Sequence, residues 1–152
     1  MAVKLSNRAY AYAKQLIDER RIVLGLAAYG AREAATRGAE FLLRHRLVFS
    51  ERTGQPADPG PLRLRYPPYW HYDLLVGLTT LARTVGLGDE RTVDALDLLE
   101  EKRGDDGTWR TEGRWWSRPG SKRSEEAVDW GEAEHELLTG RAREVLALSG
   151  RL

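Results

Sequence analysis

Two adjacent prolines followed by a nearly unbroken apolar run fix the centre of this chain, at residues 65–109. Pro67 and Pro68 cannot sit inside a helix but preset φ for a first turn, so the chain turns at Tyr66 and a helix is predicted to start near Tyr69. Leu74, Leu78, Leu81, Ala82 and Val85 follow the helical i, i+4, i+7 rule, and Leu75 and Val76 widen the stripe until most of the circumference needs cover. That makes it an inner helix. Its partner starts at Asp89, an N-cap ahead of Glu90 and Arg91, and shows Val93, Leu96 and Leu99 on one face with Asp94, Asp97, Glu101 and Lys102 elsewhere. That makes it an outer helix with one wet side.

At 152 residues, with 31% charged and 41% apolar residues, the chain is long and apolar enough for one domain with a real core. The absence of cysteine removes disulfides, thiolate metal sites and cysteine nucleophiles together. The longest apolar run, residues 22–29, falls far short of the roughly 20 residues of a membrane span, and no secretory leader is visible, so a cytoplasmic protein is expected. A net charge of +1 argues against a general polyanion binder.

Three further helices are predicted. Residues 7–28 follow the N-cap Ser6, with Ala9, Tyr10, Ala13, Leu16 and Ile17 inward. Residues 31–46 carry the small-residue row Ala31, Ala34, Ala35, Gly38 and Ala39 before Leu42 and Leu43. Residues 131–149 turn Leu138, Ala142, Val145 and Leu146 inward, with Gly150 just past the end. Between them, residues 48–65 hold Gly54, Pro56, Pro59, Gly60 and Pro61, too many breakers for regular structure, and residues 104–129 form a second irregular segment. The helices also repeat. Ala39, Leu42, Leu43 and Arg46 recur 56 positions later as Ala95, Leu98, Leu99 and Lys102, and Leu74, Leu75 and Gly77 recur 63 positions later as Leu137, Leu138 and Gly140. The order is outer, long loop, inner, short corner, outer, long loop, inner: two turns of one helical-hairpin unit.

The segment from Ala95 to Trp109, a helix followed by Gly104-Asp105-Asp106-Gly107-Thr108-Trp109, resembles the QW repeat of the terpenoid cyclase and protein prenyltransferase α/α toroids, without the glutamine of that motif. The run from Tyr66 to Asp73 and the later Val128-Asp129-Trp130-Gly131 resemble a bacterial branch of the same superfamily. The resemblance covers residues 36–151 and implies an all-α fold, a partial α/α toroid of about five helices with long aromatic, Pro- and Gly-rich loops. Residues 1–30 stand apart as a cap or a fused leader, with the toroid-like region at residues 31–152. Two hairpins and an extra helix cannot close a ring of six, so the chain is either the end of a longer ancestor or has its open sides covered by further copies or a partner protein. In the repeat, Gly107 is placed to take a φ that other residues avoid, Asp105 or Asp106 to accept backbone N–H groups, and Trp109 to bury its ring while the indole N–H donates. Its job is therefore structural first.

The chemistry of the superfamily carries over poorly. A class II cyclase protonates its substrate with an Asp-x-Asp-Asp acid, and here only Asp105-Asp106 is present; no Asp-rich helix gathers magnesium and diphosphate; the zinc site of the prenyltransferases needs a Cys. What remains is an aromatic set, Tyr66, Tyr69, Trp70, Tyr72, Trp109, Trp115, Trp116 and Trp130, eight of thirteen aromatics, which in a cyclase hold carbocations by cation-π attraction. Arg110, Arg114 and Arg118 are interleaved with the tryptophans and suit a diphosphate or a nucleotide. Asp73 and Asp129 are the acids available to an enzyme. His71 and Asp73, two apart on a helix, point in different directions. Glu132 and His135 have the spacing of half a di-iron site without its partners, and His45 between Arg44 and Arg46 reads as solvated. No metal and no cofactor is expected. The function these observations imply is a non-catalytic binding or assembly module with an apolar, isoprenoid-like ligand groove. The alternatives are an isoprenoid-transforming enzyme, a structural homo-oligomer and, last, a nucleic-acid binder.

Overall fold

The computed structural model describes residues 32–69, 71–113 and 131–152. Among these residues the protein is all-α, with four α-helices and no strand. The helix expected over residues 7–28 lies outside them.

Helix α1 spans Arg32–Arg44 and buries Ala35, Ala39, Leu42 and Leu43, the small side chains coming ahead of the large ones. It ends with Leu47 N donating to Leu42 O at 2.9 Å and Arg46 N to Leu43 O at 2.8 Å. This closure requires left-handed backbone, and no glycine is present: Arg46 has φ 39 and Leu47 φ 66. Such a conformation costs about 1–2 kcal/mol per residue. It is held by full burial of the Leu47 side chain, by the buried Tyr72 hydroxyl donating to Leu47 O at 3.0 Å, and by the Arg46–Asp94 ion pair. His45, expected to be solvated, is instead half-buried; its Nδ1 is 2.8 Å from Phe41 O and its ring packs on Phe41 one helical turn back.

The breaker-rich segment after α1 is an ordered crossing. Phe49 bridges Pro56, and Ala57 N donates to Val48 O. Further on, Leu64 is locked from both sides, its N–H reaching Glu112 Oε2 and its carbonyl accepting from Glu112 N, each at 2.8 Å.

Helix α2 is Leu74–Ala82, later and shorter than the predicted start near Tyr69. Tyr69 is left-handed at φ 46 and His71 N turns back to Pro68 O, so no helical bond forms ahead of Asp73. The helix then begins where a cap exists, with Asp73 accepting from Val76 N at 2.8 Å. At the other end Gly86 N donates to Leu81 O, leaving Val85 outside the helix and 39% exposed rather than inward. The inner role is as predicted: Leu74, Leu75, Val76, Gly77, Leu78, Thr80 and Leu81 are all buried.

A 3-10 turn, Glu90–Thr92, capped by Asp89 accepting from Arg91 N, leads into α3, Val93–Glu101. The buried register is Thr92, Ala95, Leu96 and Leu99, at i, i+3, i+4 and i+7; Val93 falls off this stripe and is 42% exposed, a correction to its predicted inward place. Helix α4, Ala133–Leu148, buries Leu138, Ala142, Val145 and Leu146 as its spacing predicts. Helix α2 sits in the middle, packed against α3 and against α4. Arg91 clamps Glu40 of α1, and Arg46 pairs with Asp94, so α1 is joined to the start of α3. Arg151 pairs with Asp97 and Glu100, joining the C-terminal residues to α3. No helix among the described residues is long and apolar enough to cross a membrane.

The first repeat match is like at Ala39 and Ala95, both fully buried, and at Leu43 and Leu99, but Leu42 is buried where Leu98 is only partly so, and Arg46 is left-handed where Lys102 is not. The second also differs. Leu74 and Gly77 are buried, whereas Leu137 is 43% exposed and Gly140 is exposed.

Candidate functional site

The aromatic segment ahead of α2 divides between core and surface. The Tyr72 ring is buried, and its hydroxyl reaches Leu47 O by passing over Gly77, where an added Cβ would lie 2.3 Å from the Tyr72 hydroxyl oxygen. Glycine is required there by space alone. Asp73 is buried too, its two carboxylate oxygens accepting from Val76 N at 2.8 Å and Arg65 N at 3.3 Å. Burial pushes its carboxyl up to about 6, the two N–H bonds and the nearby Arg65 guanidinium pulling the other way. The same burial lowers Arg65.

Pro67, Pro68 and Tyr69 stay at the surface and form one wall of a groove of about 320 Å³. The floor is the stripe of α2 at Val76, Thr79, Thr80 and Arg83, one helical face at i, i+3, i+4 and i+7, and Arg141 enters from α4. The Arg141 guanidinium lies over the Tyr66 ring, 5.3 Å from its centroid. Arg83 is 3.6 Å from Glu144. Both threonine hydroxyls donate back to the helix, Thr79 to Leu75 O and Thr80 to Val76 O, so they offer the groove acceptor lone pairs rather than free donors.

The turn after α3 places the other predicted residues. Gly107 takes φ 75, Asp106 accepts from Thr108 N, and the indole N–H of Trp109 donates to Leu99 O at 2.6 Å. The Trp109 side chain has no accessible surface. Its backbone is gripped by Thr139 of α4, whose hydroxyl accepts from Trp109 N at 2.9 Å and donates to Trp109 O at 3.1 Å. Thr111 continues the pairing, its N–H donating to His135 Nδ1 and its hydroxyl to the buried Glu134. Arg110 is exposed and paired with Asp106.

Of the predicted aromatic set Tyr69 alone among the described residues lines this groove; Tyr66 touches it only through Arg141, and Tyr72 and Trp109 are core residues that do not line it. Trp70, Trp115, Trp116, Trp130, Arg114, Arg118 and Asp129 lie outside the described residues. Val76, Thr79, Thr80, Arg83 and Arg141 were not anticipated as a site. The signal was there in part: the i, i+3, i+4, i+7 spacing of the α2 residues is visible in the sequence, but Arg141 joins them only through tertiary packing. Among the described residues no cluster of three His, Cys, Asp or Glu side chains is placed to hold a metal. No family model, no curated protein and no solved structure matches this chain.

Proposed function

We propose that the protein is a non-catalytic helical binding module, a partial α/α toroid, whose ligand is an apolar, isoprenoid-like molecule seated in the groove between Pro67-Pro68-Tyr69 and α2. The observation that carries this is the groove itself: Pro67, Pro68, Tyr69 and Val76 give it an apolar side, the Thr79 and Thr80 hydroxyls lie on its floor, and Arg83 and Arg141 supply cations. The toroid is supported by the pairing of elements, inner α2 with α4 and outer α1 with the start of α3. Enzymatic use of Asp73 as an acid is disfavoured, because both its oxygens are engaged by backbone N–H groups and it does not line the groove.

Farnesol and farnesyl diphosphate are the test ligands. Either, at 100 times its dissociation constant, is expected to stabilise the fold by about 2.7 kcal/mol, read as a rise in melting temperature. Tyr69→Ala should abolish the rise. An unchanged melting temperature with both ligands overturns the proposal.

Assembly is the second reading, favoured by the large apolar side chains left exposed: Leu137 and Leu148, on α4, and Leu152. A monomer in sedimentation at micromolar concentration removes it.

A further inference from the structure

A second concavity, of about 370 Å³, runs along the face of α4 that carries Glu132, His135, Glu136, Gly140 and Arg143. Its opposite bank is the non-helical segment at residues 107–111, which runs antiparallel to α4. Arg143 reaches Gly107 O, Thr139 holds Trp109, and His135 accepts from Thr111 N, so rising residue numbers on one bank meet falling numbers on the other. Trp109 turns into the protein along this segment, Thr111 is part-buried with its hydroxyl on Glu134, and Arg110 lines the trough.

The charges in the trough are sorted along its length. Glu132 and Glu136 stand at the N-terminal end of α4. Arg143 stands two turns further on, and Arg110, level with His135 to Thr139, is drawn toward that same end by its bond to Asp106 Oδ2 at 2.9 Å. Between the two ends, His135 has its Nδ1 occupied as an acceptor at 3.2 Å, which puts the ring proton on Nε2 and leaves that nitrogen a donor. Glu136 and Arg143 are seven residues apart on α4, about 10 Å along a helix axis. A three-residue extended peptide spans about the same distance. Gly140 lies between them and is the open part of the floor: an added Cβ there meets nothing within 4 Å.

We infer that this trough binds a short extended peptide of about three residues through its free termini. The ammonium group lies at Glu136 and Glu132, the carboxylate at Arg143 and Arg110, and His135 Nε2–H donates to a peptide carbonyl between them. This site is on a different face of α4 from the groove at Arg141, and stands or falls independently of the isoprenoid reading.

Trialanine with free termini, titrated into the full chain by calorimetry, is the probe. N-acetylation or C-amidation of the peptide should each weaken binding at least tenfold. Glu136→Gln should weaken the free peptide while leaving the acetylated one unchanged, and Arg143→Gln should do the same for the amidated one. Gly140→Trp fills the floor and should abolish binding; a melting temperature no lower than that of the native protein confirms that the fold of the variant is intact. Equal affinity for free and doubly blocked trialanine, no binding of the free peptide at millimolar concentration, or full binding to a folded Gly140→Trp variant overturns the inference.

Discussion

Asp73 shows how one buried carboxyl serves two segments, starting α2 through Val76 N and holding the incoming chain through Arg65 N. Because burial raises its pKa to about 6, the folded state holds the proton more tightly than the unfolded chain does. The stability this contributes is complete below pH 3.8, the ordinary value, and is lost as pH rises through about 6. At 1.36 kcal/mol per unit, the loss is roughly 2–3 kcal/mol. Asp73→Asn keeps a side-chain acceptor without the titration, so urea midpoints of the variant should vary less between pH 4 and 6.5 than those of the native protein. Parallel profiles for the two would show that Asp73 does not titrate in this range. The cap was legible only as an aspartate beside an apolar run. Which residue starts the helix was decided by Tyr69 in a left-handed turn and Leu74 N bonded to Pro61 O, neither of which periodicity encodes.

At the level of the helices, the sequence match of Gly77 with Gly140 pairs two residues with opposite environments. A Cβ on Gly77 would sit 2.3 Å from the Tyr72 hydroxyl and 2.7 Å from Leu47 Cδ2. Gly77→Ala is therefore expected to lose about 2–4 kcal/mol, combining overpacking with the displaced bond from Tyr72 to Leu47 O. Gly140→Ala meets nothing and removes the entropic cost of glycine in a helix interior, so it should gain about 1 kcal/mol. Denaturant melts of the two variants read this directly, and shifts of the same sign would mean that the two positions are equivalent after all. The burial that distinguishes them comes from Tyr72, five residues before Gly77, reaching across α2 to Leu47, and it is the contact with Leu47 that is long-range. Within-helix spacing foretold the inward residues of α4 but misjudged Val93 and Val85, where a 3-10 start and an early helix end change the register.

The molecule as a whole is joined at the Trp109 clasp, where the end of α3, the following turn and the middle of α4 meet. The turn chemistry was readable from Gly107, Asp106 and Trp109, because each residue has a local reason to be there. Thr139 was not, since nothing in a helix sequence marks one threonine as the partner of a backbone thirty residues away. Its hydroxyl satisfies both polar groups of a fully buried residue at once, as acceptor for Trp109 N and donor to Trp109 O. Thr139→Val keeps the shape and removes both bonds. Leaving two buried backbone groups without partners costs about 1–3 kcal/mol each, so a loss of about 3 kcal/mol is expected, with Thr139→Ser close to native. The loss should fall first on α4. Of the remaining ties of α4, those from Arg143 to Gly107 O and from Arg83 to Glu144 are exposed and weak, and those from Thr111 to His135 and Glu134 continue the same clasp and depend on it. Native-state hydrogen exchange in Thr139→Val should therefore show the amides of Leu138, Ala142 and Leu146 opening before those of α2 and α3, whereas native-like protection of α4 would mean that the apolar contact with α2 suffices to hold it.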